Sequence, residues 1–518
     1  MNFFDRIISA VSPQAGLARA QARIKLRSVN AAYEAAKPSR LRKTRGDLYS
    51  GNAVAAQASH SLWRLARDLD QNYDLAKGAL DVLVHCTVGR GIQVEPMIKN
   101  VDGSLATDVN AKVKDLWRNW CKLPEVTKEL SWAQCERLAA RSFFRDGEVF
   151  GQSVEGSVSY YSHDTIVPLS IELLECDMVP VEYSNIEANV IYGIGRDSWG
   201  KATIYYVHKT HPGETFRTVS LSDVKPISSD RMFHAKIVSR IRQSRGVSVF
   251  APVFTRLDDL RDYEESERVA ARIASAQVIA ITKPSESEYS MNDATGNGSD
   301  ARAFSISPGS IWDNLLPGEK PEIISSDRPS NLLGEFRSTQ IRSASAGIGC
   351  NYSSMAKDYG GNYSSQRQEL VESYRNYDVL RDTFVDSWSR PVYERFVKLA
   401  LISLKLPKNI AQTTVLDADF RGQPMAWIDP EREINAEREA LSIGLKSRSQ
   451  ALRERGLNPD EVDGEIAKDI ARETSLFDGE QVSLPDSKQR APQAAPQAQA
   501  AQDSAPPTPA DTKKAKGK

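Results

Sequence analysis

The longest periodic pattern in this chain starts at Ser365 and runs for about 40 residues. Leu370, Tyr374, Tyr377, Phe384, Trp388, Val392, Phe396 and Ala400 recur at helical spacing and mark one stripe. Ser365 is a good N-cap, with Gln368 at the matching capping-box position. Pro391 falls inside the stripe. Proline removes a backbone hydrogen bond and clashes with the preceding turn, so a kink is expected there. In front of this rod lies its opposite, Cys350-Asn-Tyr-Ser-Ser-Met-Ala-Lys-Asp-Tyr-Gly-Gly-Asn-Tyr-Ser-Ser365. It is too polar for a strand, has no helical stripe, and repeats Asn-Tyr-Ser-Ser on either side of Gly360-Gly361. Another helical pattern, about Asn331 to Gly347, precedes it. A flexible polar loop between two stiff rods is expected.

The remainder supplies a frame. Residues 1–50 are Ala-rich and strongly basic, a loosely held arm that can touch nucleic acid or an acidic partner. Leu62, Leu65, Leu69, Tyr73, Ala76, Leu80 and Leu83 predict one amphipathic helix, ending at the Gly89-Arg90-Gly91 turn before a strand at 92–95. Two further helices carry Val113, Trp117 and Trp120, then Trp132 to Phe144. Their aromatics read as core. From Val149 the period becomes two, with strands expected at 148–154, 170–174, 189–194 and 202–208. Ala251-Pro252 then opens a run free of Gly and Pro until Pro284, and about 30 helical residues would span roughly 45 Å. Its first half is acidic and its second half almost wholly apolar. A polar 284–303 insert follows, with strand-like pieces at 304–306, 310–312 and 322–324. Asp429-Pro430 starts a helical pair, 430–455 and 459–473. From Ser483 the chain is Ala, Pro, Gln and Ser, which cannot bury a core.

The search for reaction chemistry is mostly negative. There is no GxxxxGK[ST], no GxSxG and no HExxH. The five cysteines are scattered without a CxxC, which favours free thiols over a disulfide framework or zinc site. His208, His211 and His234 lack ligand spacing and read as surface residues. Carboxylates are plentiful, but no pair stands out as buried. Ser354-Met-Ala-Lys357 matches SxxK, in which the lysine would serve as base, yet its companion SDN and KTG elements are missing. No catalytic residue, metal or cofactor is expected. No window approaches a membrane span. With a net charge of −1 the whole chain is not a basic nucleic-acid coat.

Several collinear stretches resemble the lambda-type family of tailed-phage portal proteins. They are Leu65 to Ala79 with Val88-Gly-Arg-Gly-Ile92, Arg245 to Val253 with Asp262-Tyr-Glu264, Leu316-Pro-Gly-Glu319, Gly347-Ile-Gly349 with Lys357 to Arg367, and Trp427-Ile-Asp-Pro430 with Gly444 to Arg448. The resemblance implies an α+β, mainly α, portal fold and a ring of about twelve subunits around a channel for double-stranded DNA. It implies a basic arm at 1–30, an α/β wing at 31–250, a first stem helix at 251–281, a clip at 282–327 and a second stem helix at 328–349. A tunnel loop at 350–363, the kinked helix and wing return at 364–428, helical crown at 429–478 and disordered tail at 479–518 complete the order.

The same resemblance implies a capsid-vertex conduit for packaging and ejection, and the head–tail attachment point. It implies partners too: a terminase ATPase large subunit, capsid and scaffold proteins, and head-completion and tail adaptor proteins, in the virion and in the host cytoplasm during assembly. Tyr352, Met355, Lys357, Asp358, Tyr359, Gly360, Gly361, Asn362 and Tyr363 would face the DNA. A conduit must not grip its cargo, because each Lys or Arg on a phosphate adds salt-dependent affinity. Asp258, Asp259, Asp262 and Glu265 would therefore line the stem and repel the backbone, or else form a solvated outer face or intersubunit salt bridges with Arg256, Arg261 and Arg268. The alternatives are a monomeric DNA-binding adaptor or scaffold and a hydrolase using Ser354 and Lys357.

Overall fold

The structure is a computed structural model. It describes residues 49–214, 223–275, 279–282, 320–323, 333–403, 410–424 and 429–476. The basic arm, the 284–303 insert, the expected strands at 304–306 and 310–312 and the Ala/Pro/Gln tail lie outside these residues. The chain divides after Pro430 into two units.

The first unit begins with α1 (Gly51–Asn72), capped by Ser50, whose hydroxyl accepts the Ala53 N–H at 3.2 Å. The amphipathic run expected to be one helix is two, because Tyr73 is extended at φ −128° and buries its ring. Asp74 Oδ1 accepts the Leu75 N–H at 2.8 Å, and α2 (Asp74–Thr87) starts afresh. The glycine turn ends it, Gly89 and Gly91 having φ of +57° and +118°. Then come β1 (Gln93–Pro96), α3 (Thr107–Trp120) and α4 (Trp132–Arg145). Trp117 stacks on Trp120 at 4.9 Å, with Phe396 edge-on at 5.0 Å, so these aromatics are core.

β2 (Glu148–Glu155) is the middle of a three-stranded antiparallel sheet, between β3 (Leu169–Leu174) and β8 (Met232–Lys236). A four-stranded sheet runs β4 (Val190–Ile191), β5 (Ile194–Arg196), β6 (Ala202–His208), β7 (Val224–Ser228). The single strand expected at 189–194 is a hairpin, because Tyr192 and Gly193 take positive φ and reverse the chain. β7 and β8 carried too weak an alternation to be read.

The histidine expectation is corrected. His208 is buried, and the His234 side chain, 5% exposed, stacks on Phe150 and meets Glu148 at 3.1 Å. Glu148 is wholly buried, beside an equally buried Arg245. The guanidinium donates from Nε to Glu148 at 2.8 Å and to the carbonyls of Val179, Tyr192 and Cys176, and its Nη2 lies 2.7 Å from the same Glu148 oxygen, so all five N–H groups face an acceptor. Its face lies over Trp63 and Phe150, 5.6 and 5.4 Å from the ring centres.

α5 (Phe254–Ser275) is the first rod. It is shorter than expected. The apolar stretch read as its second half includes β9 (Ile279–Thr282), antiparallel to β10 (Lys320–Ile323). β-Branched Ile and Thr fit a paired strand better than an unpartnered helix end. α6 (Leu333–Ile348) returns beside α5 in the opposite direction. Arg256 meets Gln340, Tyr263 meets Phe336, and Arg337 ion-pairs with Glu264 at 2.6 Å. A Cβ on Gly347 would lie 2.5 Å from Val253 Cγ1, so the missing side chain lets the rods close.

After the short α7 (Tyr352–Ala356), α8 (Tyr363–Phe384) has its cap three residues before the expected Ser365. Asn362 is the cap, and its side-chain Oδ1 accepts the Ser365 N–H at 2.9 Å. A π-turn, Val385–Ser389, joins α8 to α9 (Arg390–Ser403). Finally β11 (Ala418–Arg421) pairs with β1, an association over more than 300 residues that no local pattern announces.

The second unit holds α10 (Pro430–Ser442), α11 (Arg448–Glu454) and α12 (Pro459–Leu476). The helix expected over 430–455 is broken, because Gly444 takes φ +76° and ends α10.

Candidate functional site

The polar 350–363 segment has two unlike halves. Gly349, at φ +85°, terminates α6, and its carbonyl accepts Asn376 Nδ2 at 2.7 Å. Cys350 and Met355 then turn into the core. Asn351 is locked to α8, since its backbone N–H donates to Tyr377 Oη at 3.1 Å and its side-chain Oδ1 accepts the Tyr377 hydroxyl at 2.9 Å. The Ser353 N–H and hydroxyl both donate to Glu369, at 3.1 and 2.6 Å. Sequence reasoning saw a free loop here. The missed signal was a small apolar pair, Cys350 and Met355, beside a capping asparagine.

Met355 is therefore a correction. It was expected to face DNA and is 3% exposed, because the turn of helix begun at Asn351 aims it inward. Tyr352 is half-buried, with the Arg342 guanidinium 4.8 Å from its ring centre and its hydroxyl donating to Asp358 at 2.8 Å. That bond, together with the Gly360 N–H, holds the Asp358 carboxyl below its usual range. Lys357 takes the left-handed conformation at φ +55° and turns the chain outward. Lys357, Asp358, Tyr359, Gly360, Gly361, Asn362 and Tyr363 are all exposed, and they form the tip. The SxxK pair is not assembled. Ser354 Oγ accepts Asn351 Nδ2 at 2.8 Å, and among the described residues no hydrogen bond joins it to Lys357.

On α5, Asp258, Asp262 and Glu265 recur at spacings of four and three and share one face. Asp262 and Glu265 are exposed. Asp258 is half-buried beside Arg261 at 3.8 Å, and partial burial raises its pKa. Arg261 itself reaches Asp68 of α1 at 3.0 Å. Asp259 is exposed and lines a cleft of about 450 Å³ between the rods with Arg256, Phe336 and Gln340.

Pro391 sits in the first turn of α9, just after the π-turn. Its missing N–H leaves the Ser387 carbonyl without the usual i+4 donor, and the wider turn absorbs the defect. Ser389 of that turn donates its hydroxyl to Glu136 at 2.6 Å, and Ile92 N–H meets the other oxygen at 2.9 Å. Glu136 is fully buried and, among the described residues, in no ion pair, so burial pushes its pKa up to about 7.

Glu175, Asp177 and His211 bring ligand atoms within 4.8 Å of one another. Arg67 ion-pairs with Asp177 and Arg145 lies 3.7 Å from Glu175, so guanidinium groups already neutralise these carboxylates.

The segment thus presents paired rods, an outward polar tip and a π-turned helix. The sequence profile of the lambda family of phage portal proteins matches residues 37–381, and the chain belongs to that family. It is 22% identical over 451 residues to a probable portal protein of Halomonas phage phiHAP-1, covering 83% of this chain and 85% of the relative. A chain of the native gene transfer agent virion aligns at TM-score 0.44 and 13% identity, over 79% of this chain and 99% of that one. A neck of that particle computed with C12 symmetry contains a chain aligning at TM-score 0.44 and 12% identity, over 79% and 99%. An HK97-family portal protein from Corynebacterium diphtheriae aligns at TM-score 0.30 and 13% identity, over 75% and 99%.

Proposed function

We propose that copies of this chain form a ring of about twelve around a channel for double-stranded DNA at one capsid vertex. In this reading α5 and α6 are the stem, β9 and β10 belong to the clip, residues 357–363 are the channel tip and 430–476 the crown. A separate terminase ATPase docks on the clip and supplies the energy for packaging. Capsid or scaffold proteins surround the ring, and head-completion and tail adaptor proteins attach to it. The work is done in the host cytoplasm during assembly and in the virion at ejection.

The observation that carries this reading is the tip. Its charges, Lys357 and Asp358, balance, while Tyr359 and Tyr363 are 61% and 48% exposed. Its base is pinned by Cys350, Met355, Asn351 and Glu369. Such a tip can bear on DNA without the phosphate grip that clustered cations would give. The carboxylates at 258, 262 and 265 on one face of α5 act in the same sense, repelling phosphates along the stem.

The test is to shorten 358–362 and leave the base intact. Light scattering should report the same ring mass as wild type, while packaging or DNA retention falls. A chain that stays monomeric under all conditions would refute the ring. Normal packaging and retention would refute the role of the tip.

A further inference from the structure

The chain leaves β8 through a turn that is braced from within and lies open to solvent. The turn over residues 240–243 is closed by the Gln243 N–H, which donates to the Arg240 carbonyl at 3.2 Å. Its third residue, Arg242, takes φ +64°, a conformation that glycine or asparagine ordinarily supplies. The buried Gln243 side chain holds the loop. Its Oε1 accepts the Ser239 and Arg240 N–H groups at 3.1 and 3.2 Å, and its Nε2 donates to the Arg245 carbonyl at 2.8 Å. The start of α1 holds the other side. Asn52 Oδ1 accepts the Ser244 N–H at 2.6 Å, and Arg240 Nη1 donates to the Tyr49 carbonyl at 2.9 Å. The turn is thereby rooted in the buried network of Arg245 and Glu148.

This frame presents an aliphatic apex between two cations. Ile241 is 98% exposed and Val238 is 50% exposed. Arg240 and Arg242 are exposed, and among the described residues neither is in an ion pair. The 48 residues that precede Tyr49 are themselves basic, so they add to this charge and do not cancel it. A merely solvated turn would be served as well by glycine at 242 and a polar residue at 241. We propose that residues 238–242 form a docking knob for an acidic, aliphatic segment of a partner protein. Ile241 enters an apolar recess of that segment, and Arg240 and Arg242 meet the carboxylates around it. Charge and shape together select this class of partner. Duplex DNA would offer phosphates to the arginines but would leave Ile241 uncovered. The bracing favours binding, because a turn already fixed has little freedom left to lose. None of this depends on the ring reading.

Fluorescence anisotropy on the full-length chain tests the proposal, with three labelled probes: a short peptide of alternating glutamate and leucine, a glutamate–serine peptide of equal charge, and a short DNA duplex. The glutamate–leucine peptide should bind most tightly. Ile241→Ser should weaken it about tenfold, to the level of the glutamate–serine peptide. Arg242→Gly, which also relieves the left-handed backbone, should weaken it about threefold and flatten the salt dependence. Both positions are exposed, so urea midpoints at or above that of wild type should accompany these losses. No binding of the glutamate–leucine peptide, or equal affinity in wild type and both variants, overturns the proposal. So does a DNA duplex that binds more tightly than this peptide and responds to the same two variants. Binding by the monomer but not by an assembly of confirmed mass overturns it as well, because the knob is then a contact between copies.

Discussion

Replacing Arg245 by methionine is expected to cost about 3–5 kcal/mol of folding stability near neutral pH, because it strips the partner from a buried carboxylate. The wild-type guanidinium and the Glu148 carboxylate are both wholly inaccessible, 2.7 Å apart. Three backbone carbonyls, of Val179, Tyr192 and Cys176, lose their donor in the same step. Among the described residues Glu148 keeps the Gly246 N–H at 2.9 Å and His234 at 3.1 Å. Methionine fills most of the volume between Trp63 and Phe150, so the lost interactions are electrostatic rather than a cavity. The pH dependence is the sharper signature. In wild type, Arg245 is the largest influence opposing burial and draws the Glu148 pKa down to about 2, so its contribution is present above the unfolded value and lost only as pH falls through 2. Without Arg245, burial dominates and the folded-state pKa rises above the unfolded one. The variant's folded state then binds a proton more readily, and its deficit should shrink as pH falls from about 8 to 5. Urea unfolding followed by tryptophan fluorescence measures both, and adding Glu148→Gln should recover part of the loss. A deficit below about 1 kcal/mol, or one constant across that range, would refute the argument.

Two further expectations concern the frame of the site. Gly347→Ala should destabilise by about 1–3 kcal/mol, because the new Cβ meets Val253 Cγ1 at 2.5 Å, and Val253→Ala should relieve it. Thermal unfolding of the single and double variants checks this, and additive losses would contradict it. Glu136→Gln addresses the π-turn. With a folded pKa raised to about 7, Glu136 contributes stability below the unfolded carboxylate value and loses it as pH rises through 7. The glutamine variant should therefore outlast wild type by about 2–3 kcal/mol at pH 8 and not at pH 4, and parallel denaturation curves at the two pH values would sink the idea.

Much of the frame was readable because it is local. The Trp117, Trp120 and Trp132 positions repeat with the helix, and α6 and β6 fall where periodicity put them. The family likeness was legible for the same reason, carried by short collinear stretches such as Lys357 to Arg367. What was misread depends on partners distant in sequence. Met355 looked like loop because its pocket is made by other elements, and His234 looked like surface because Glu148 lies 86 residues away. The wholly missed pairing of β1 with β11 spans still more chain.

The sequence by itself determined the order of rods, sheets and polar tip, the proline in the long helix and the absence of the familiar nucleotide and nucleophile motifs. Those are properties of spacing and of residue type, which act over a turn or two of chain. Only the tertiary structure decided which half of the 350–363 segment is anchored, that the chain answers Pro391 with a π-turn, and that Glu136, Glu148 and Arg245 are sealed inside. Burial is set by what packs against a side chain, and a polar residue written on a helix or strand looks the same in sequence whether water or another element faces it.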